Sequence, residues 1–119
     1  MQLIARATNR ILTQGEAIRE LNDRFRQTFA GGMVVVTAAI RALCATDQAA
    51  ILAKVQTFDN FDAGTDPYQE HDYGRFEHAS VRCAWKIEYY APNLEQLSDD
   101  PADAGRTVRV LTITLTGEY

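Results

Sequence analysis

The sequence predicts an α+β fold in which two main helices pack on one face of a small antiparallel sheet of about four strands. Two observations carry this. Apolar residues recur at three- and four-residue steps in the first half of the chain, and the period switches to two beyond residue 72. A stretch rich in Gly, Pro, Asn and acids separates the two regimes. At 119 residues the chain suits a single core, assigned to residues 13–119, with residues 1–12 read as an N-terminal arm.

The first helix opens at Thr13-Gln14-Gly15-Glu16, a capping box in which hydroxyl and carboxylate each satisfy an orphan amide. Ile18, Leu21, Phe25 and Phe29 form its apolar stripe, Glu20 and Arg24 pair on the wet side, and Gly31-Gly32 supplies the positive φ that ends it. Met33 to Val36 is an unalternating β-branched run, the pattern of a short strand buried on both faces. Thr37 to Leu43 reads as a short helical turn. A longer helix starts near Thr46, carries Asp47 in its first turn and presents Ile51, Val55 and Phe58 to the core. Residues 59–72 form a loop anchored by Phe61 and Tyr68. Strands then follow at Tyr73–His78 and Val81–Tyr90, joined by a bend at Ala79-Ser80. A second loop spans 91–105. The last strand, 106–118, points Leu111, Ile113 and Leu115 inward and Thr112, Thr114 and Thr116 outward.

Charge is distributed unevenly. The net charge is −4, which argues against direct nucleic-acid binding through phosphate contacts. Nine of the sixteen carboxylates fall in the two loops: Asp59, Asp62, Asp66, Glu70 and Asp72 in the first, Glu95, Asp99, Asp100 and Asp103 in the second. Neither loop contains Lys or Arg. If the last three strands alternate in direction, both loops hang from one end of the sheet and form an acidic pole flanked by Tyr68, His71, Tyr73, Tyr89 and Tyr90. Arg82, Lys86 and Glu88 mark the outward sheet face as a second candidate surface, and a bare sheet edge would offer a route to a homodimer.

Asp66, Glu70, His71 and Asp72 are the residue types of a divalent-metal site or an acid–base pair. The same segment reads more simply as an Asp-Pro turn in which Asp66 caps local amides. No Gly-rich phosphate loop or nucleophile elbow is present, and no cofactor is expected. Cys44 and Cys83 have no CxxC spacing and are read as buried structural thiols. Arg6, Asn9 and Arg10 interrupt Leu3, Ile4, Ile11 and Leu12, so no signal-peptide core forms, and no run nears the ~18 apolar residues of a membrane span. The expected location is cytoplasmic.

Several segments together carry a family resemblance. They are Leu21-Asn22-Asp23 with Phe25, Gly31-Gly32 with the Val run to Thr37-Ala38, Asp66-Pro67, Glu70-His71-Asp72-Tyr73-Gly74, Trp85 to Tyr90, Asp100-Pro101-Ala102-Asp103, Arg109 to Ile113, and Glu118-Tyr119. Over residues 18–119 the chain resembles the bacterial family known as domain of unknown function 3768. The resemblance implies a short bacterial protein of plasmid- or phage-rich genomes. It also implies a glycine where this chain has Gln69 and Ala39. It carries no activity. Two readings stay open. One is a non-catalytic protein-binding module, an inhibitor or accessory factor offering its acidic surface to a basic partner. The alternative is a metal-dependent hydrolase or nuclease using Asp66, Glu70, His71 and Asp72.

Overall fold

The computed structural model describes residues 12–116. The expected N-terminal arm lies outside them, apart from Leu12. The elements are α1 (Gln14–Thr28), β1 (Gly32–Val36), α2 (Ala38–Arg41), α3 (Ala45–Gln56), β2 (Tyr73–His78), β3 (Val81–Tyr90) and β4 (Val108–Leu115), with one 3-10 turn at Ala104–Arg106. Three helices and a four-stranded sheet make the fold α+β.

The capping box forms as its residues dictate. Thr13 Oγ1 accepts from the Glu16 amide at 3.1 Å while Glu16 Oε1 accepts from the Thr13 amide at 3.0 Å. Glu20 and Arg24 pair at 3.6 Å. Helix α1 ends two residues before Gly31: Phe29 itself adopts the left-handed conformation, φ 59°, and its amide bonds the Phe25 carbonyl. Phe29 also packs against the core, and that burial offsets the steric cost of a non-glycine residue there. Helix α3 begins at Ala45, with Cys44 as its N-cap. Cys44 is therefore exposed rather than buried, its thiol 3.2 Å from Asp47 Oδ2, while Cys83 is buried as expected. Asp47 in turn holds His78 Nε2 at 2.9 Å and ties α3 to β2.

The sheet order is β1-β4-β3-β2. β2, β3 and β4 are antiparallel, but β1 runs parallel to β4, so the sheet is mixed rather than wholly antiparallel. Hairpin-type connections dictate direction for the last three strands; β1 leaves into helices and is free to join β4 in the parallel sense. It lies at an edge instead of being buried on both faces, and Met33 and Val35 are 46% and 41% exposed. The last strand is shorter than the alternation suggests, because residues 104–106 form the 3-10 turn. Thr114 points away from the helices, yet it is buried opposite Ala84 on β3.

The core lies between the helices and one sheet face. Phe25, Ile40, Ile51 and Val55 come from the helices, and Cys83, Trp85, Ile87, Leu111 and Ile113 from β3 and β4. Trp85 sits at its centre, with Phe58 edge-on at 5.5 Å. Gly74, across the ladder from Trp85, makes this possible, since a Cβ there would stand 2.5 Å from the indole nitrogen and 2.6 Å from the Phe58 ring.

The β2–β3 turn has positive φ at both central residues, Ala79 (51°) and Ser80 (67°). That is the backbone of a two-residue hairpin that favours Asn-Gly. Replacing Ala79-Ser80 by Asn-Gly is expected to raise stability by about 1 kcal/mol, because Asn and Gly adopt the positive φ of this turn at lower steric cost. The unfolding midpoint in urea measures it; an unchanged or lower midpoint contradicts the assigned turn.

Candidate functional site

The two acidic loops meet along one edge of β3. β3 outruns β2 by four residues, 87–90, and the loops occupy the space that β2 leaves. The Ile87 amide donates to the Asp72 carbonyl, the end of the first loop. The second loop turns back so that the Ser98 amide donates to the Tyr89 carbonyl, with an antiparallel bridge between Tyr90 and Leu97. Between them lies a crevice of about 250 Å³, lined by Asp72, Lys86, Glu88, Leu97, Ser98 and Pro101 among others.

Helix α1 holds this end together through three polar residues beside its apolar stripe. The Asn22 side chain is fully buried. Its Nδ2 donates to the Glu70 carbonyl at 3.0 Å and to Tyr89 Oη at 2.8 Å, and its Oδ1 accepts from Arg109 Nε at 2.6 Å. Tyr89 Oη in turn donates to Glu70 Oε1 at 3.0 Å. Arg109 lies over the Tyr89 ring and donates through Nη2 to the Pro101 carbonyl of the second loop. Burial pushes the Tyr89 phenol well above its ordinary value, against the pull of the Asn22 amide. Burial also lowers Arg109, against the attraction of Tyr89 and Glu70.

Asp23 and Arg26 make the second set of ties. Arg26 Nη1 donates to the carbonyls of Val55, Gln56 and Phe58, where the chain leaves α3. Its Nη2 pairs with Asp23 Oδ1 at 3.1 Å. Asp23 also holds His71 Nδ1 at 2.9 Å, and the other imidazole nitrogen lies 3.6 Å from Asp66 Oδ2. Phe61 stacks on the His71 ring, 3.7 Å between centroids and 5° between planes. A hollow of about 260 Å³ opens beside this stack, bordered by Arg19, Asp62, Asp66 and Gln69.

The residues expected at the acidic pole therefore divide. Asp66 (4% exposed), Glu70, His71 and Tyr89 turn inward as ties. Asp66 accepts the His71 amide at 3.1 Å, the local capping that an Asp-Pro turn predicts. Asp62 closes an Asx turn, and bonds from the Thr65 and Gly64 amides hold its carboxyl below the usual range. Glu95 and Asp99 are exposed, Asp99 with Arg106 at 4.0 Å. Asp100 and Asp103 each cap an amide, of Ala102 and Gly105, and stay partly exposed. Tyr90 and half-buried Asp72 reach the surface, Asp72 raised chiefly by burial. On the sheet face, Arg82 faces Glu77 at 3.9 Å, while Lys86 and Glu88 line the crevice. Of the two expected loop anchors, Phe61 acts as one and Tyr68 does not, being 81% exposed.

Asp66, Glu70, His71 and Asp72 do not surround a common point. Glu70 is bonded to Tyr89 and His71 is held between Asp23 and Asp66; among the described residues no three His, Cys, Asp or Glu side chains are placed to hold a metal ion. Asn22, Asp23 and Arg26 were not among the expected site residues. A signal existed, because Asn22 and Arg26 continue the spacing of Ile18, Phe25 and Phe29 on one helix face.

Fold and site together define a small mixed-sheet α+β domain whose loop end is assembled by buried polar ties. The chain belongs to the family described as protein of unknown function (DUF3768), which matches residues 36–118. No curated protein and no solved structure matches it. Helix α1, the source of Asn22, Asp23 and Arg26, precedes the matched span. The glycine that the resemblance implies at position 69 has a physical reason: Gln69 has φ 56°, a conformation natural to glycine. Ala39 lies within α2, where no such demand arises.

Two outcomes follow. Asn22→Ala strands Arg109 Nε and the Glu70 carbonyl and is expected to cost about 3 kcal/mol. Arg24→Ala, which loses one exposed ion pair, should stay within about 0.5 kcal/mol of wild type. Urea unfolding of both compares them, and equal midpoints contradict the network. Asp72, whose folded-state pKa is raised, favours folding most fully below its ordinary value of 3.8, a contribution lost as pH rises through the folded-state value. Asp72→Asn should therefore be more stable than wild type at pH 8, with the gap closing toward pH 4; a gap that widens on acidification reverses the assignment.

Proposed function

We propose that this chain is a non-catalytic protein-binding module that presents an acidic surface to a basic partner, acting as an inhibitor or accessory factor of a bacterial, plasmid- or phage-associated system. The observation that carries the reading is the convergence of two base-free loops on the exposed end of β3. Glu95 and Asp99 are exposed on these loops, as is Asp62 within reach of Arg75 on β2, and Asp72, Asp100 and Asp103 are partly exposed. Such a field attracts cationic surfaces and speeds their approach. The crevice between the loops adds an apolar lip, Leu97 and Pro101, beside the carboxylates of Asp72 and Glu88. That combination suits a long basic side chain, whose stem lies on the lip while its head meets the acids.

The groups that chemistry would require support the same reading. Glu70, His71, Asp66 and Tyr89 are engaged in internal ties rather than turned toward a common open point. No described helix is long and apolar enough to cross a membrane.

Affinity capture at low and high salt tests the proposal. Wild type should retain a basic protein that is released as salt screens the contact. The charge-reversed variant Glu95→Lys/Asp99→Lys, altered only at exposed positions, should lose that protein while its circular dichroism stays unchanged. Retention of the same protein by the variant would sink the reading.

A further inference from the structure

We propose that β1 is the dimerisation edge of this protein, pairing antiparallel with β1 of a second copy across a two-fold axis centred on Val34. The two outer edges of the sheet are treated differently. On β2 the outward backbone is guarded: Lys54 Nζ donates to the Glu77 carbonyl at 3.0 Å, and Arg75 and Glu77 place exposed charges along the strand. Those are the devices by which natural sheets prevent edge pairing. β1 has none of them. Gly32–Val36 contains no charge and no proline, and the sequence from Gln27 to Ile40 carries no charged residue at all, in a chain that is 24% charged.

The backbone of β1 supplies a ready register. The Thr37 amide donates to the Ile113 carbonyl, so residues 33, 35 and 37 face β4, and Gly32, Val34 and Val36 turn their N–H and C=O groups outward. No described strand takes up that outer row. Two copies aligned Val34 to Val34 bring Gly32 opposite Val36 of the other copy, and each of these pairs exchanges two hydrogen bonds, about six in all. The same register sets Met33 directly against Val35 of the second copy. These are the two exposed apolar side chains of the strand, and both lie on the outer face beside Val110 and Thr112. Every outward backbone group and both exposed side chains are thus satisfied by one symmetric arrangement.

Charge selects the same occupant. Each copy has a net charge of −4, so most modes of self-association would bring acids together. The uncharged β1 edge avoids this, and antiparallel pairing turns the two acidic loop ends in opposite directions.

Sedimentation across a range of concentrations tests the proposal. Wild type should be a dimer, and Met33→Lys/Val35→Lys should be a monomer with unchanged circular dichroism. Amide exchange of wild type gives a second readout that needs no variant: the Val34 and Val36 amides should be slow in concentrated solution and fast on dilution, whereas the Met33 and Val35 amides stay slow in both. A monomeric wild type, a dimer that survives both lysines, or fast exchange at Val34 in concentrated solution would each overturn the assignment.

Discussion

One carboxamide sets the position of everything at the loop end of the sheet. Asn22 touches the first loop through Glu70, β3 through Tyr89 and β4 through Arg109, and Arg109 extends the connection to the second loop at Pro101. An amide side chain suits that place because it donates and accepts at once, which neither a carboxylate nor an ammonium does. Arg26, one turn further along α1, performs the matching task at the end of α3, where its guanidinium gathers the carbonyls of Val55, Gln56 and Phe58. The helix is therefore a beam whose apolar residues bury area and whose polar residues decide location.

This explains how two long connections keep definite paths. Loops of such length are uncommon in a small domain unless something orders them. Here the first is tied inside itself by Asp62 and Asp66 and outside by Asp23 and Asn22. The second is fixed by Ser98, whose hydroxyl lies 2.7 Å from that of Thr107, and by the guanidinium of Arg109. Buried networks of this type are costly when incomplete and specific when complete. The inward carboxylates thus shape the loops, and those left outside are displayed on a fixed frame.

Much of the fold was legible in the sequence, for local reasons. The capping box, the period-two run Val81–Tyr90 and the bend at Ala79-Ser80 are each set by neighbours a few residues away, and each formed where expected. What escaped were decisions made at long range. Whether Met33–Val36 lies inside or at an edge depends on which strand β4 takes beside it, and a β-branched run reads alike in both cases. The common end of the two loops was legible because hairpin connectivity dictates it. The inward turn of Glu70 and Tyr89 was not, since it depends on an asparagine about fifty residues upstream of Glu70. Tyr68 misled for a related reason: an aromatic residue in a loop suggests an anchor, but the stacking position beside His71 was already filled by Phe61.

The hydrogen bond between Asn22 and Arg109 spans 87 positions of the chain, and that separation governs how the molecule is born. Helix α1 is made before β4, and at translation speeds of about 5–20 residues per second it waits roughly 4–17 s for the guanidinium that completes its network. A lone helix of this length is marginal in water. The buried Asn22 carboxamide therefore has no guanidinium to bond until β4 has been made, so this tie closes late in synthesis.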